Sequence, residues 1–268
     1  MKGKALEKIK KHRGKIWAVM LALLVWQIAA MTIRQKILLV SPVSVCLRLF
    51  TIWQVQGFAS SIWFTFYHIA GGFLLGLVTG IVFAVAANRF PIVETLLWPW
   101  MVTIKSVPVA SFVVICLIWL SSENLSVFIS FLIVLPVIYQ NVLSGLRASD
   151  KQMEEMAQVF GLPWYRRMRY ITIPQVEPYL ISACSVTTGM AWKAGVAAEI
   201  IGTPNGSIGK MLYLAKIYLD TDDLLAWTVI IVVISVLSEK LFMWGLKRGL
   251  NLIVYHRAVR AARKSEDG

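Results

Sequence analysis

The sequence predicts an all-α membrane protein with about six transmembrane helices. Of its 268 residues, 58% are hydrophobic and only 15% are charged, where soluble domains run nearer half and a quarter. Mean hydropathy is +0.69. A water-soluble domain of this length could not hide so much apolar surface, because folding leaves much of any surface exposed. Lys and Arg outnumber acids 27 to 14, for a net charge of +13. In a membrane chain this records basic cytoplasmic loops, and no motif supports a nucleic-acid partner. Disorder, collagen and disulfide scaffolds are excluded by the same composition. Cys46, Cys116 and Cys184 show no metal-ligand spacing and are expected to act as small buried hydrophobes.

A bilayer-crossing helix needs about 20 mostly apolar residues. The first candidate is Ile16 to Ile33, behind Lys2, Lys4, Lys8, Lys10, Lys11, Arg13 and Lys15. No small-x-small cleavage site follows it before Arg34, Gln35 and Lys36, so it is expected to be retained. Ser41-Pro42 marks a turn into a moderately amphipathic stretch. The second span covers about 62 to 87 and ends at Asn88-Arg89-Phe90-Pro91. Residues 93 to 120 are apolar but interrupted by Lys105 and Pro108, which predicts a broken helix with the better span in its second half. The fourth span covers about 125 to 146, the fifth about 176 to 201 and the sixth about 224 to 246. A polar segment separates the fourth from the fifth.

Counting Lys and Arg on alternate sides gives 19 on the side of the termini, including the loop 147 to 170, against 5 on the other. By the positive-inside rule both termini and that loop are cytoplasmic. The expected organisation is a basic cytoplasmic tail (1–15), a first span with an extracytoplasmic segment (16–61), a transmembrane core (62–248) containing the cytoplasmic loop 147–174, and a basic cytoplasmic tail (249–268).

Within that loop, Ser149 and Gln152 fit a capping box. Met153, Met156, Ala157 and Phe160 then recur at helical spacing, opposite Lys151, Glu154, Glu155 and Gln158. Gly161 followed by Pro163 stops the helix, since glycine accepts a left-handed conformation and proline blocks continuation. A second, basic helix from Trp164 to Tyr170 leads to Pro174 and the fifth span. An isolated helix this short is marginal in water, so its apolar knob needs a socket.

Glu155-Met156-Ala157, three residues, Gly161, nine residues, Ile171, one residue and Ile173-Pro174 together resemble the EAA loop of permease subunits in binding-protein-dependent ABC importers. The family pattern has Ala at 156 and Leu at 173; both replacements here are apolar, and Met156 is the bulkier. Gly189-Met190-Ala191-Trp192-Lys193, Ala197-Ala198-Glu199-Ile200-Ile201-Gly202 and Tyr218-Leu219-Asp220-Thr221-Asp222 are similar to the nitrate/sulfonate/taurine branch. The resemblance covers about residues 41 to 248. It implies the type I importer permease fold, a prokaryotic inner-membrane location, and a coupling helix seated in a cleft of the ATPase. On that reading Glu155, Met156, Ala157, Gly161, Ile171 and Pro174 form the coupling segment. The implied partners are two ATPase subunits, an extracytoplasmic binding protein, a second permease copy as a homodimer, and membrane lipid. ATP and Mg are used by the ATPase, and this chain carries no cofactor or metal.

Gly72, Gly76 and Gly80, followed by Ala84, recur every four residues in the second span. Such stripes let backbones approach closely within a bundle or across a dimer; lining a substrate path is the alternative. Lys193 and Glu199 lie in the fifth span, and charges at that depth face an aqueous path or the bundle interior. Six positions turn a helix by roughly 600°, so the two point apart and are not expected to bridge. Glu199 is placed near the outer end. Lys193, Glu199, Trp192 and His68 are the candidates for the translocation path; Lys193 and Glu199 could instead be paired or packed between helices, and His68 and Lys105 could be hydrogen-bonded structural groups. Gly206-Ser207-Ile208-Gly209-Lys210 resembles a phosphate loop only superficially, because Pro204 and Met211 stand where glycine and Ser/Thr are required.

Three function classes are compatible with a chain of this kind, and these residues separate them. An ATP-driven import permease is favoured, with a small anion such as a sulfonate, taurine, nitrate or bicarbonate as cargo and a thiamine pyrimidine as the alternative. A membrane-embedded enzyme lacks any HExxH, GxSxG or paired-carboxylate constellation. A secondary carrier would be expected to carry internal repeats, and none is apparent.

Overall fold

The computed structural model describes residues 2–33, 35, 39–148 and 150–254. Arg34, Lys36, Ser149 and the basic tail beyond 254 therefore lie outside the described residues, as do the side chains of 1–16. The capping box at Ser149 and part of the charge count rest on them.

Among the described residues the chain is helical, with no strand. α1 (Lys2–Ile33) is followed by α2 (Pro42–Thr51), the amphipathic stretch, whose N-cap Ser41 accepts from the Ser44 amide. α3 (Phe58–Arg89) stops before Pro91, which opens α4 (Pro91–Ser106); α5 (Val109–Cys116) and α6 (Ser122–Arg147) follow. Then come α7 (Lys151–Val159), α8 (Trp164–Arg167), α9 (Ile173–Gly202), α10 (Ile208–Ile217) and α11 (Thr221–Val254).

Among the described residues α3, α6 and α11 are long and apolar enough to cross a bilayer, and α4 with α5, bent by 106° at their break, adds a fourth if the pair is counted as one span. The apolar part of α1 is shorter, Trp17–Ile33. α9 has the length but carries Thr187, Thr188, Lys193 and Glu199 along it. The break between α4 and α5 falls at Pro108, as its chemistry requires: Val107 is extended (ψ 130) because a residue before proline is pushed from the α region. The expectation that the second half is the better span is corrected, since helix persists for 16 residues before the break and 8 after it.

α6 is the centre of the bundle, packed on α3 along one side and α9 along the other. In lipid the hydrophobic effect does not drive helices together, so contact depends on close fit. The glycines of α3 supply it. A Cβ at Gly72 would stand 2.2 Å from the Val127 carbonyl oxygen, one at Gly76 2.8 Å from Val134 Cβ, and one at Gly80 2.9 Å from Ile138 Cγ2. Fully buried Ala84 continues the row. On the α9 side, a Cβ at Gly195 would meet Ser130 Oγ of α6 at 2.7 Å and Ile69 Cγ1 of α3 at 2.6 Å.

The shorter helices are tied on by polar contacts. Arg48 of α2 pairs with Asp223 at the start of α11, and hydrogen bonding to Asp223 holds the guanidinium above its ordinary value. The Trp26 indole of α1 donates to the Val40 carbonyl at 3.0 Å. Cys116 and Cys184 are buried, but Cys46 is exposed on α2, against expectation.

Candidate functional site

The segment between α6 and α9 is built from local backbone chemistry. Asp150 caps α7, its carboxylate accepting from the Gln152 amide at 2.9 Å, while the Asp150 amide donates to Gln175 Oε1 at 3.1 Å. At the other end Gly161 takes φ +60. Its amide donates to the Gln158 carbonyl at 3.0 Å, and the Leu162 amide to the Ala157 carbonyl at 2.9 Å. That pair of bonds is a Schellman turn, which satisfies the last carbonyls of α7 and reverses the chain. Pro163 then caps α8, accepting from the Arg166 and Arg167 amides. Glu154 and Arg167 close the corner as an ion pair at 3.2 Å.

α8 runs into α9 through a π-helical stretch, Met168–Thr172. Pro174 explains it. Lacking an N–H and carrying a ring that crowds the carbonyl four residues back, proline forces the preceding turn to widen.

The six residues of the EAA-like pattern divide into two sets. Ala157 (1% exposed) and Ile171 (7%) are buried, Pro174 is half-buried, and Gly161 forms the turn. Glu155 and Met156 are exposed. Around them Met153, Val159, Phe160 and Trp164 are also open, Phe160 at 74%. The result is a short helix and a rigid reversal with an apolar, solvent-facing tip and a carboxylate beside it. The Asp150 cap and the Glu154–Arg167 pair escape sequence reading, although opposite charges flanking a Gly-Leu-Pro turn were a signal for the second.

The other candidates do not gather into one place. Glu199 is fully buried near the end of α9, packed between helices and not open to an interface. Its Oε2 accepts from the Thr65 hydroxyl at 2.8 Å and the Gly209 amide at 3.2 Å. Thr65 Oγ in turn accepts from the Ile208 amide at 3.0 Å. The carboxylate thus lies at the amino end of α10, where unpaired amides and the helix dipole favour negative charge. Gly209 permits this approach, since a Cβ there would stand 2.2 Å from Glu199 Cβ. Ser207 caps α10, accepting from the Lys210 amide at 3.0 Å, so the Gly206–Lys210 run is a helix start.

Lys193 is exposed on α9. Trp192 is buried (4%) and borders an apolar groove of about 350 Å³ with Phe66, Phe73, Thr188 and Phe242. His68 stacks on Phe64, its Nδ1 2.8 Å from the Phe64 carbonyl. A second, more polar cleft of about 220 Å³ opens between α4 and α6, where Lys105 donates to Gln140 and Arg147 pairs with Glu94. Among the described residues no group of His, Cys, Asp and Glu could hold a metal.

Apolar spans packed through glycines, with a short helical reversal projecting between two of them, define a multi-span helical membrane protein. Residues 72–247 match the family of inner membrane components of binding-protein-dependent transport systems, and the chain belongs to that family. It is 25% identical over 218 residues to the putative aliphatic sulfonates transport permease protein SsuC of Bacillus subtilis, covering 80% of this chain and 78% of the relative. It is 23% identical over 188 residues to the formylaminopyrimidine transport permease protein ThiX of Halalkalibacterium halodurans (70% and 75%). Against the nitrate import permease protein NrtB of Synechococcus elongatus it is 24% identical over 159 residues (59% and 57%). A chain from the crystal structure of an amino acid ABC transporter with histidines shares the fold, with TM-score 0.53 over 76% of this chain and 95% of that one at 17% identity. The chain is a permease of an ABC import system.

Proposed function

We propose that two copies of this chain form the substrate pathway of an importer in a prokaryotic inner membrane, with both termini and the 147–174 loop on the cytoplasmic side. Residues 62–248 are the transport core, flanked by the first span with its extracytoplasmic segment (16–61) and by the tails 1–15 and 249–268. Each copy seats α7 and the Gly161 turn in a cleft of one ATPase subunit, which uses ATP and Mg. An external binding protein delivers a small anion. The observation that carries the reading is the exposed tip of Met153, Met156, Val159 and Phe160 on a hydrogen-bonded reversal. Such an apolar patch on so small an element marks a contact surface, and the Schellman turn and ion pair make it stiff enough to transmit a push. ATP-driven approach of the two ATPases would then move α8 and α9 through the Pro174 junction and switch the pathway between two states.

Glu155 lies at the edge of that surface. In the assembled complex, Glu155→Lys is expected to abolish substrate-stimulated ATP hydrolysis and uptake while the complex still purifies. Full activity of that variant would overturn the coupling role. The anion is favoured by the resemblance to sulfonate and nitrate permeases and by Lys105 and Lys193, which are exposed cations on α4 and α9. Similarity to ThiX keeps a pyrimidine as the second reading. Thermal-shift screening of the partner binding protein separates them: a shift with a sulfonate or nitrate supports the anion, and one with a neutral pyrimidine alone refutes it.

A further inference from the structure

We infer that the polar cleft between α4 and α6 lines the aqueous pathway and is its contact for a small oxyanion, with Lys105 as the attracting charge. This rests on the permease reading above and names a place in that pathway. Two independent features point to it. First, Gln140, Ser144 and Arg147 are all exposed on α6 and, at spacings of four and three, share one face. Lys105, also exposed, meets that face by donating to Gln140. Gln140 stands two helical turns from Arg147, about 10 Å into the span, where a charge turned to hydrocarbon is costly and one turned to water is tolerated. Second, the helix carrying Lys105 breaks just beyond it, at Val107 and Pro108, and the chain turns by 106°. Irregular backbone at membrane depth persists only inside protein or along a water-filled cavity.

The charge pattern decides the ligand class. Arg147 is neutralised by Glu94, whereas the partner of Lys105 is a neutral amide. The cleft lined by Glu94, Lys105 and Arg147 therefore carries one net positive charge. Gln140, held by its oxygen to Lys105, keeps its NH₂ group as a donor suited to an oxyanion. The Ser144 hydroxyl one turn on lies on the same face but already donates to the Gln140 main-chain carbonyl at 2.8 Å, so it marks the track without supplying a donor.

The test uses the full complex in inside-out vesicles, with Cys46→Ser and the buried Cys116 and Cys184 retained. Ser144→Cys is treated with membrane-impermeant methanethiosulfonates bearing a sulfonate or a trimethylammonium group, and the rates are normalised to a free thiol in solution. Without nucleotide, the anionic reagent is expected to react about fivefold faster than the cationic one, as a unit charge roughly one turn away acts oppositely on the two. Lys105→Gln should remove that preference and Lys105→Arg should keep it. Trapping the ATPases with ATP and vanadate should slow both reagents. An unreactive thiol in a complex that hydrolyses ATP, a disulfide between the two copies through position 144, or equal rates unaffected by Lys105→Gln would each overturn the inference. Charge-selective labelling that ignores ATP and vanadate would support the anion cleft while refuting the ATP-coupled reading beneath it.

Discussion

Gly71 and Gly72 are adjacent in α3, yet the same substitution at each should have opposite effects. At Gly72 a new methyl group would lie 2.2 Å from the Val127 carbonyl oxygen and 2.8 Å from Ser130 Cβ. Ordinary carbon–oxygen contact is about 1 Å longer, and a carbonyl inside a helix cannot turn aside. The strain must be relieved by separating α3 from α6, which also loosens the fit at Gly76 and Gly80. Overpacking of this kind costs about 3 kcal/mol when no flexible neighbour can yield. At Gly71 nothing lies within 4 Å, so alanine adds only its better helix propensity, about 0.5 to 1 kcal/mol of stabilisation. For a chain of this size each kcal/mol moves the unfolding midpoint by about 2–4 °C. Thermal unfolding in detergent should therefore separate Gly72→Ala from Gly71→Ala by on the order of 10 °C. Equal midpoints, or the reverse order, would refute the claim that backbone approach at this stripe holds the bundle together.

Glu199→Leu should lose about 3 kcal/mol, since it leaves the Gly209 amide and Thr65 hydroxyl buried without their acceptor; Glu199→Gln, which keeps an oxygen, should lose less, and thermal unfolding distinguishes them. Charge reversal at Glu154 or Arg167 alone should cost under about 1 kcal/mol, because the pair is half-exposed, and the double reversal should recover it in a double-mutant cycle. Asp150→Ala should weaken the start of α7 by about 1 kcal/mol, read as faster hydrogen exchange at the Gln152 amide.

The legible parts of this protein are those whose cause is local. Gly161 and Pro163 each constrain their own backbone, so the reversal could be read from two letters, and the four-residue period of Gly72, Gly76 and Gly80 marks one face of a helix without any partner in view. Pro108 announced a break for the same reason. Which half would be longer depended on where the chain turns after Cys116, and no single residue fixes that. Glu199 was least legible. Its partners are Thr65, 134 residues away, and Gly209, on the helix that follows; an acid in an apolar run looks identical whether it faces lipid headgroups, a pathway or a buried helix start. Lys105 illustrates the same limit, since the glutamine it meets lies 35 residues further on.

The most direct test of the coupling account is a cross-link at the tip. With Phe160→Cys in the assembled transporter, a short maleimide cross-linker should join the chain to the ATPase subunit, and the yield should change when ATP is added. In intact cells the same thiol should resist an impermeant reagent applied from outside. Labelling from outside, with no cross-link to the ATPase, would contradict the account.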